Sequence, residues 1–576
     1  MLSTRTGKYT LLFLLALGGC ASLMERKSES EIRRDKIRKQ LESPDRPTLV
    51  QQIATPRQLA PALIKNFALV TNLADTGGPV EASLQREKIL DMLRRNEVPN
   101  PNEMIDSKQT AMVVVTSIIP PAAKAGEHFN VIVQLSKHAQ ATDLQQGWLR
   151  EIPLLEIAQL EGRVRSSFDY AKAEGSIVTS AQYNGATDEK SKVEAVVVGG
   201  ARLLKSRDVG IGIKSEMADA ITMGVVVPAI NSRFTYFDGS NQKGVAVPQS
   251  DEYIDLHLPA RYKQDPYHFV NVVLRVGFNE TADQKTKRIE KLSQDVSNPA
   301  RVREACWQLE AIGEKGADIL ASQLGNPDEE IRFYCAHSLA YLGDKRAIQP
   351  LVDSAIQQAA FRAMALTALS SIDAYQAEEA LKSLLHCPEP EARYGAVRTL
   401  RQRNPRDAMI TAENVRGVGG LLEIPSSGPD MVAVSVHETP EVVFFGQVPM
   451  LQLPNFHNIN PNILLQRTGP NEITITRFVP SESDLMIRCS PDLRSILLAI
   501  TQVGGGYGDW VNFVRECQEK KFMNIPVAMN PVPSTGRVFD RETRSSINEV
   551  DPTDLEPASQ ETEVSSTWYK PWTWWQ

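Results

Sequence analysis

The chain has 576 residues, of which 42% are hydrophobic and 23% charged, with a formal net charge of −7. That length allows two to four domains, and the composition is ordinary for a globular protein. The acidic balance argues against nucleic acid or anionic lipid headgroups as partners, and six cysteines in a chain of this size exclude a disulfide scaffold.

The N-terminus begins with Arg5 and Lys8 and then runs LLFLLALGGCAS from Leu11 to Ser22. A basic start followed by a short apolar run reads as an export signal; a bilayer-spanning helix needs about 20 apolar residues. Leu17-Gly18-Gly19-Cys20 resembles the lipobox of bacterial lipoproteins, which makes residues 1–19 the signal and Cys20 the acylated mature N-terminus. The competing reading is a plain signal peptide with an incidental cysteine. By analogy with lipoprotein sorting, Ala21 in place of an aspartate directs the chain to the outer membrane. Removing residues 1–19 takes away two bases and no acid, leaving a charge of −9.

Residues 20–49 read as a charged spacer: within MERKSESEIRRDKIRKQLESPDR (24–46) only Met24, Ile32, Ile37 and Leu41 are apolar. From 50 to 290 the pattern is mixed. SLQREKILDMLRRN places Ile89, Leu90 and Leu93 on one helical face, and AMVVVTSII (111–119) and FNVIVQLS (129–136) read as strands around a turn at Pro120-Pro121. EAVVVGG (194–200) and GVVVPAI (224–230) read as further strands.

Between 298 and 408 helical periodicity takes over, with an internal repeat. Ala305, Cys335, Ala365 and Ala396 are 30, 30 and 31 residues apart, and Leu309, Leu339, Leu369 and Leu400 keep the same spacing. Leu320, Leu351 and Leu381 mark the second helix of each unit. Such helix pairs bury their apolar faces only by stacking into an α-solenoid. IRFYCAHSLAYLGDKRAIQPLVDSA (331–355) resembles the short bacterial HEAT repeat.

Over 416–530 the β pattern returns in MVAVSVH (431–437), VVFFG (442–446) and EITITRF (472–478). An α-hairpin follows, with Ser490 as the expected N-cap and Pro491 at the first helical position. Its apolar faces are Leu493, Ile496, Leu497 and Ile500, then Trp510, Phe513, Val514 and Cys517. Residues 537–576 read as a disordered tail, with six acids and no base between Glu549 and Glu563 and the ending WYKPWTWWQ. Trp568, Tyr569, Trp572, Trp574 and Trp575 fit either insertion at a membrane interface or stacking on sugars; the bland reading is an unstructured, sticky end.

Patterns for chemistry are missing. The eight histidines form no H-x-x-H or H-E-x-x-H pattern and the cysteines no C-x-x-C pair, so no metal site, cofactor site or catalytic residue is expected. The glycine-rich VRGVGGLLE (415–423) and VGGGYGD (503–509) read as turns. Cys335 reads as a core residue in the small-residue column. Export makes a Cys489–Cys517 disulfide a candidate. Their depths along the hairpin differ by roughly 8 Å, against the Cα separation of about 7 Å that a bridge tolerates.

Two separated parts resemble the flagellar P-ring protein family. The first is residues 84–149, in the order helix, strand, Pro120-Pro121, second strand, and the segment from Ala141 through Leu144 and Gly147 to Leu149; FALVTNLADTGG (67–78) precedes it. The second is DLRSILLAITQVGGGYGDWVNFVRECQEKKFM (492–523). The resemblance implies an α+β fold over 50–290 and 416–530, interrupted by the all-α HEAT-repeat solenoid. It also implies a homo-oligomeric ring in the periplasm, associated with peptidoglycan, that works with the rod and the outer-membrane ring as a flagellar bushing, without enzymatic activity. Lipid on Cys20 would anchor that ring to the outer membrane. The alternative is an outer-membrane lipoprotein adaptor whose solenoid binds an envelope partner in a non-flagellar assembly. A third reading, an enzyme, rests only on similar short HEAT repeats in bilin lyases.

Overall fold

The computed structural model describes residues 28–160, 163–478, 483–543 and 545–548. The signal, Cys20 and the Trp-rich ending lie outside the described residues.

The charged stretch is exposed along most of Glu29–Glu42 but docks on the body by two apolar residues. α1 (Glu29–Glu42) starts at a Ser28–Glu31 capping box and buries Ile37 and Leu41. Arg33 Nη2 donates to the carbonyls of Ser215 and Ala218 at 2.6 and 2.8 Å, and so fastens α1 to the body. Within the spacer expected over 20–49, Glu29–Glu42 is thus a helix held to the body along one edge, with most of its charged residues exposed.

Seven strands form the next unit: β1 (Ala62–Thr71), β2 (Ala111–Ile119), β3 (His128–Leu135), β4 (Trp148–Leu160), β5 (Arg163–Ser176), β6 (Val178–Thr179) and β7 (Glu194–Leu203). They run in the order β3-β2-β1-β4-β5-β7-β6, and β3 also pairs with β7, so the sheet closes into a barrel. Alternation explains the filling: Val113, Val115, Val131, Val133, Leu149, Leu154, Ala171 and Val197 point into one core. On the outside, the helix Leu84–Arg95 lays Ile89, Leu90 and Leu93 over Leu69 and Met112, as its period requires.

GVVVPAI, expected as a strand, lies instead inside α2 (Ala220–Arg233), which Asp219 caps through Ile221 N. Met223, Val226 and Ile230 recur every three or four residues on its buried face, and that longer period prevails over the local β propensity of the valines. A helix over Ala282–Asp295 follows α3 (Pro266–Leu274), and seven more come after it: α4 (Val302–Ile312), α5 (Glu314–Ser322), α6 (Glu329–Leu342), α7 (Ile348–Gln357), α8 (Ala359–Ser371), α9 (Tyr375–Leu384) and α10 (Pro390–Arg403). α4, α6, α8 and α10 pack successively on one another, and α7 packs on α9. Every member of the three repeat columns is buried, from Ala305 and Leu309 to Ala396 and Leu400.

After the helices, the strand Glu413–Val415, β8 (Gly419–Ile424), β9 (Met431–Ser435), β10 (Glu441–Phe445) and Val527–Met529 form a five-stranded sheet, β9 lying between β10 and Val527–Met529. β11 (Phe456–Asn460), β12 (Ile463–Gly469), β13 (Glu472–Arg477) and β14 (Leu485–Cys489) form a four-stranded one. The expected hairpin is α11 (Leu493–Gln502) and α12 (Tyr507–Glu519). Its cap is Asp492, whose carboxylate accepts from Ser495 N at 2.8 Å, two residues beyond the expected Ser490. The fold is thus mixed helix and sheet, including a barrel.

Part of the segment expected to be disordered is ordered by the chain itself. Arg537–Asp540 pairs with Ser545–Asn548 and lies across the first helices of the repeats. Arg537 grips both Glu391 oxygens at 2.6 Å, Phe539 meets Phe361 at 5.0 Å between ring centroids, and Arg541 Nε reaches Glu330 at 2.6 Å. Burial alone would raise the Glu391 carboxyl, but Arg537 and Arg362 outweigh it and hold it below the usual range.

Candidate functional site at the joint between the segments

Among the described residues the flanking segments share no sheet, yet they share a core. Val178 of the barrel is buried among Val434, Phe444, Leu497, Trp510 and Phe513 of the C-terminal part, with Tyr183, Val196 and Val198 against them. A second continuous core runs from Ile37 through the helical array to Ile424, Met431 and Phe445. The interrupted halves therefore pack as neighbours in one body.

Polar bonds fix the register of that contact. On β3, Asn130 Nδ2 donates to Val436 O at 2.9 Å, while its Oδ1 accepts from Glu438 N at 2.8 Å and from Gly199 N at 3.0 Å. Gly199 has φ +61, and a Cβ there would sit 2.2 Å from Glu438 O, so only glycine allows the loop so close. Glu438 in turn takes Arg398 of α10 at 2.5 Å. Burial pushes its carboxyl up, but His437 and Arg398 outweigh that and leave it below the usual range. One loop thus binds barrel and helical array together. On the other flank of the joint, Arg515 Nε donates to Gln182 O at 2.9 Å.

Deeper in, Glu441 of β10 is fully buried, and its Oε1 accepts from the Tyr394 hydroxyl at 2.7 Å and from Arg401 Nη1 at 3.1 Å. Arg401 Nη2 meets its other oxygen at 2.9 Å. The Tyr507 hydroxyl lies 2.6 Å from Ser435 O and 2.9 Å from Glu441 O. The helical array thus meets the sheet at the Glu441 carboxylate, and the α-hairpin meets the same residue at its backbone carbonyl.

α12 carries a third charged group. His457 Nε2 lies 2.9 Å from Glu516 Oε2, an ion-pair contact without the angle of a directed hydrogen bond, and Lys520 Nζ is 2.8 Å away. Burial would raise the Glu516 carboxyl, but His457 and Lys520 outweigh it and hold it at about 2. Because the folded value lies below the unfolded one, the stability it contributes is complete above about pH 4.5 and fades as pH falls toward 2. After allowance for partial solvation it amounts to on the order of 2 kcal/mol. Acid denaturation of Glu516→Gln is expected to show a shallower loss over that window; a slope equal to wild type would contradict the assignment.

Cys489 and Cys517 carry free thiols, as do the other described cysteines, so the candidate bridge is not formed in this structure. Cys489 ends the edge strand β14 opposite Ile473, whereas Cys517 is fully buried on α12. Burial raises both thiols, that of Cys489 to about 11. Sequence reasoning missed Asn130, Glu438 and Glu441, each lying in a strand or turn without a motif.

Residues 50–289 match the family model described as flagellar P-ring protein. Over these residues the chain is similar to that family. Curated P-ring proteins align with it: that of Thermotoga maritima is 28% identical over 233 residues, 39% of this chain and 65% of the relative. The Aquifex aeolicus protein is 33% identical over 112 residues, 19% of this chain and 28% of its own. For Geobacter metallireducens the figures are 28% over 214 residues, 35% and 54%. The chain therefore spans less than two thirds of the length of these P-ring relatives. The matched span contains the barrel and α2 and α3, and ends before the helical array. No helix among the described residues is long and apolar enough to cross a membrane.

Proposed function

We propose that the chain is a structural subunit of the flagellar P ring, a periplasmic bushing around the rod that associates with peptidoglycan and adjoins the outer-membrane ring. The match over residues 50–289 carries this reading. It is supported by the packing of the matched barrel against 431–529, which makes the C-terminal sheets and hairpin part of the same body. The role needs no catalysis, only a surface that stays in place while the rod turns. In this reading the seven helices form a HEAT-type solenoid carried within the P-ring-like body, presented to neighbours in the envelope. The strap 537–541 already covers part of its first-helix face, so a neighbour would use the rest.

The lipid at Cys20 gives the ring its fixed depth. One acyl chain holds a protein only marginally, two or more hold it firmly, and one anchor per subunit multiplies the attachment. Deleting the gene is expected to abolish swimming. Mass spectrometry of the mature protein is expected to find an acylated Cys20, and Cys20→Ser should move the chain from the membrane fraction to the soluble one. An unmodified mature N-terminus would refute the anchor. Swimming that survives the deletion would favour the non-flagellar adaptor.

A further inference from the structure

A group of polar side chains is buried where the P-ring segment meets the helical array. Asp265 caps α3, its Oδ1 accepting from His268 N at 2.8 Å. Its Oδ2 faces the Tyr341 hydroxyl at 3.3 Å and His337 Nε2 at 3.9 Å. His337, on α6, is 5% exposed, and its Nε2 has no hydrogen-bond partner. A buried nitrogen left unpaired is unfavourable, and the surroundings leave this one aimed at a carboxylate it does not reach. Asp265, His268 and His337 each offer a ligand atom, and the three atoms lie within 4.8 Å of one another.

We propose that Asp265, His268 and His337 bind a divalent transition metal of the zinc class, which pins α3 to the second helix pair of the array. Two imidazoles and one carboxylate suit zinc, and three protein ligands leave a fourth position for water. Ligand distances of about 2.0–2.1 Å place donor atoms roughly 3.3–3.5 Å apart, so the group contracts slightly on binding. A supporting shell is in place. His268 Nε2 lies 2.8 Å from Glu310 Oε2, and Glu310 also accepts from the Tyr262 hydroxyl at 2.8 Å. A carboxylate behind a ligating histidine orients the ring and raises its basicity. Tyr341 stacks on His268 with centroids 4.3 Å apart and holds the ring in place.

Both His268 nitrogens are already engaged: Nδ1 accepts from Trp307 Nε1 at 3.2 Å. This longer, neutral bond is the weaker of the two, and it is the one a metal displaces. The inference does not depend on ring assembly. It extends the P-ring segment's joint with a device that no local spacing announces, since His268 and His337 stand far apart in the chain.

The test uses the full mature chain, freed of metal with a chelator and titrated with Zn²⁺ alone. One equivalent should bind and raise the melting temperature. His337→Gln and Asp265→Asn should each weaken binding at least tenfold. Trp307→Phe, which removes the competing donor, should tighten it, and His386→Gln, outside the cluster, should leave it unchanged. The buried thiols Cys306 and Cys335, 3.7 Å apart, are the rival ligands. No stoichiometric binding, or binding that survives His337→Gln and Asp265→Asn but is lost in Cys306→Ser, overturns the proposal.

Discussion

Replacing Glu441 with alanine should cost about 3 kcal/mol of stability, visible as a lower denaturant midpoint. Glu441 is fully buried and is the common acceptor for Arg401 and the Tyr394 hydroxyl. Without it, two donors anchored on α10 face an apolar sheet. Breaking such a pair from one side is expensive because the remaining charge stays desolvated. The loss lies toward the lower end of the usual range because the Arg401 side chain keeps 25% of its exposure and regains some water. The damage should centre on the contact between helical array and sheet, so proteolysis of the variant should open first between α10 and β10. A loss below 1 kcal/mol would mean that Glu441 does not organise the joint.

The second large effect is expected at Trp510, which is fully buried in the core shared by barrel, sheet and α-hairpin. Trp510→Ala should cost about 3–5 kcal/mol, from lost apolar burial and the cavity left behind. Trp510→Phe should cost far less than its lost volume implies. The indole Nε1 is buried without a hydrogen-bond partner, so phenylalanine removes an unsatisfied donor along with the second ring. Chemical denaturation of the two variants separates these terms; equal losses would show that the nitrogen is hydrogen-bonded after all.

What the sequence disclosed follows from the range of the forces involved. Period-2 alternation in AMVVVTSII and the columns through Ala305, Leu309 and Leu320 are local records of burial, and the corresponding strands and helices form there. The valines of α2 misled because a run as short as GVVVPAI cannot distinguish a buried strand from one face of a helix. The errors at both ends of the chain share another cause. Arg33 is exposed, as its charge implies, yet it also grips the carbonyls of Ser215 and Ala218, and Arg537 and Arg541 read as disorder until Glu391 and Glu330 accept them. The joint was legible only as a resemblance between two separated stretches. Asn130, Gly199 and Glu438 acquire meaning when the fold brings them within hydrogen-bond reach. The same holds for His268 and His337, which no metal-ligand pattern links.

Electron cryomicroscopy of isolated basal bodies, with mass spectrometry of the same particles, tests the central reading most directly. The chain should be present in them. The periplasmic annulus should be built from subunits that contain the barrel and the C-terminal sheets as one body, with the seven-helix array attached at the Glu438–Arg398 contact. A complete annulus in particles that lack this chain would contradict the account.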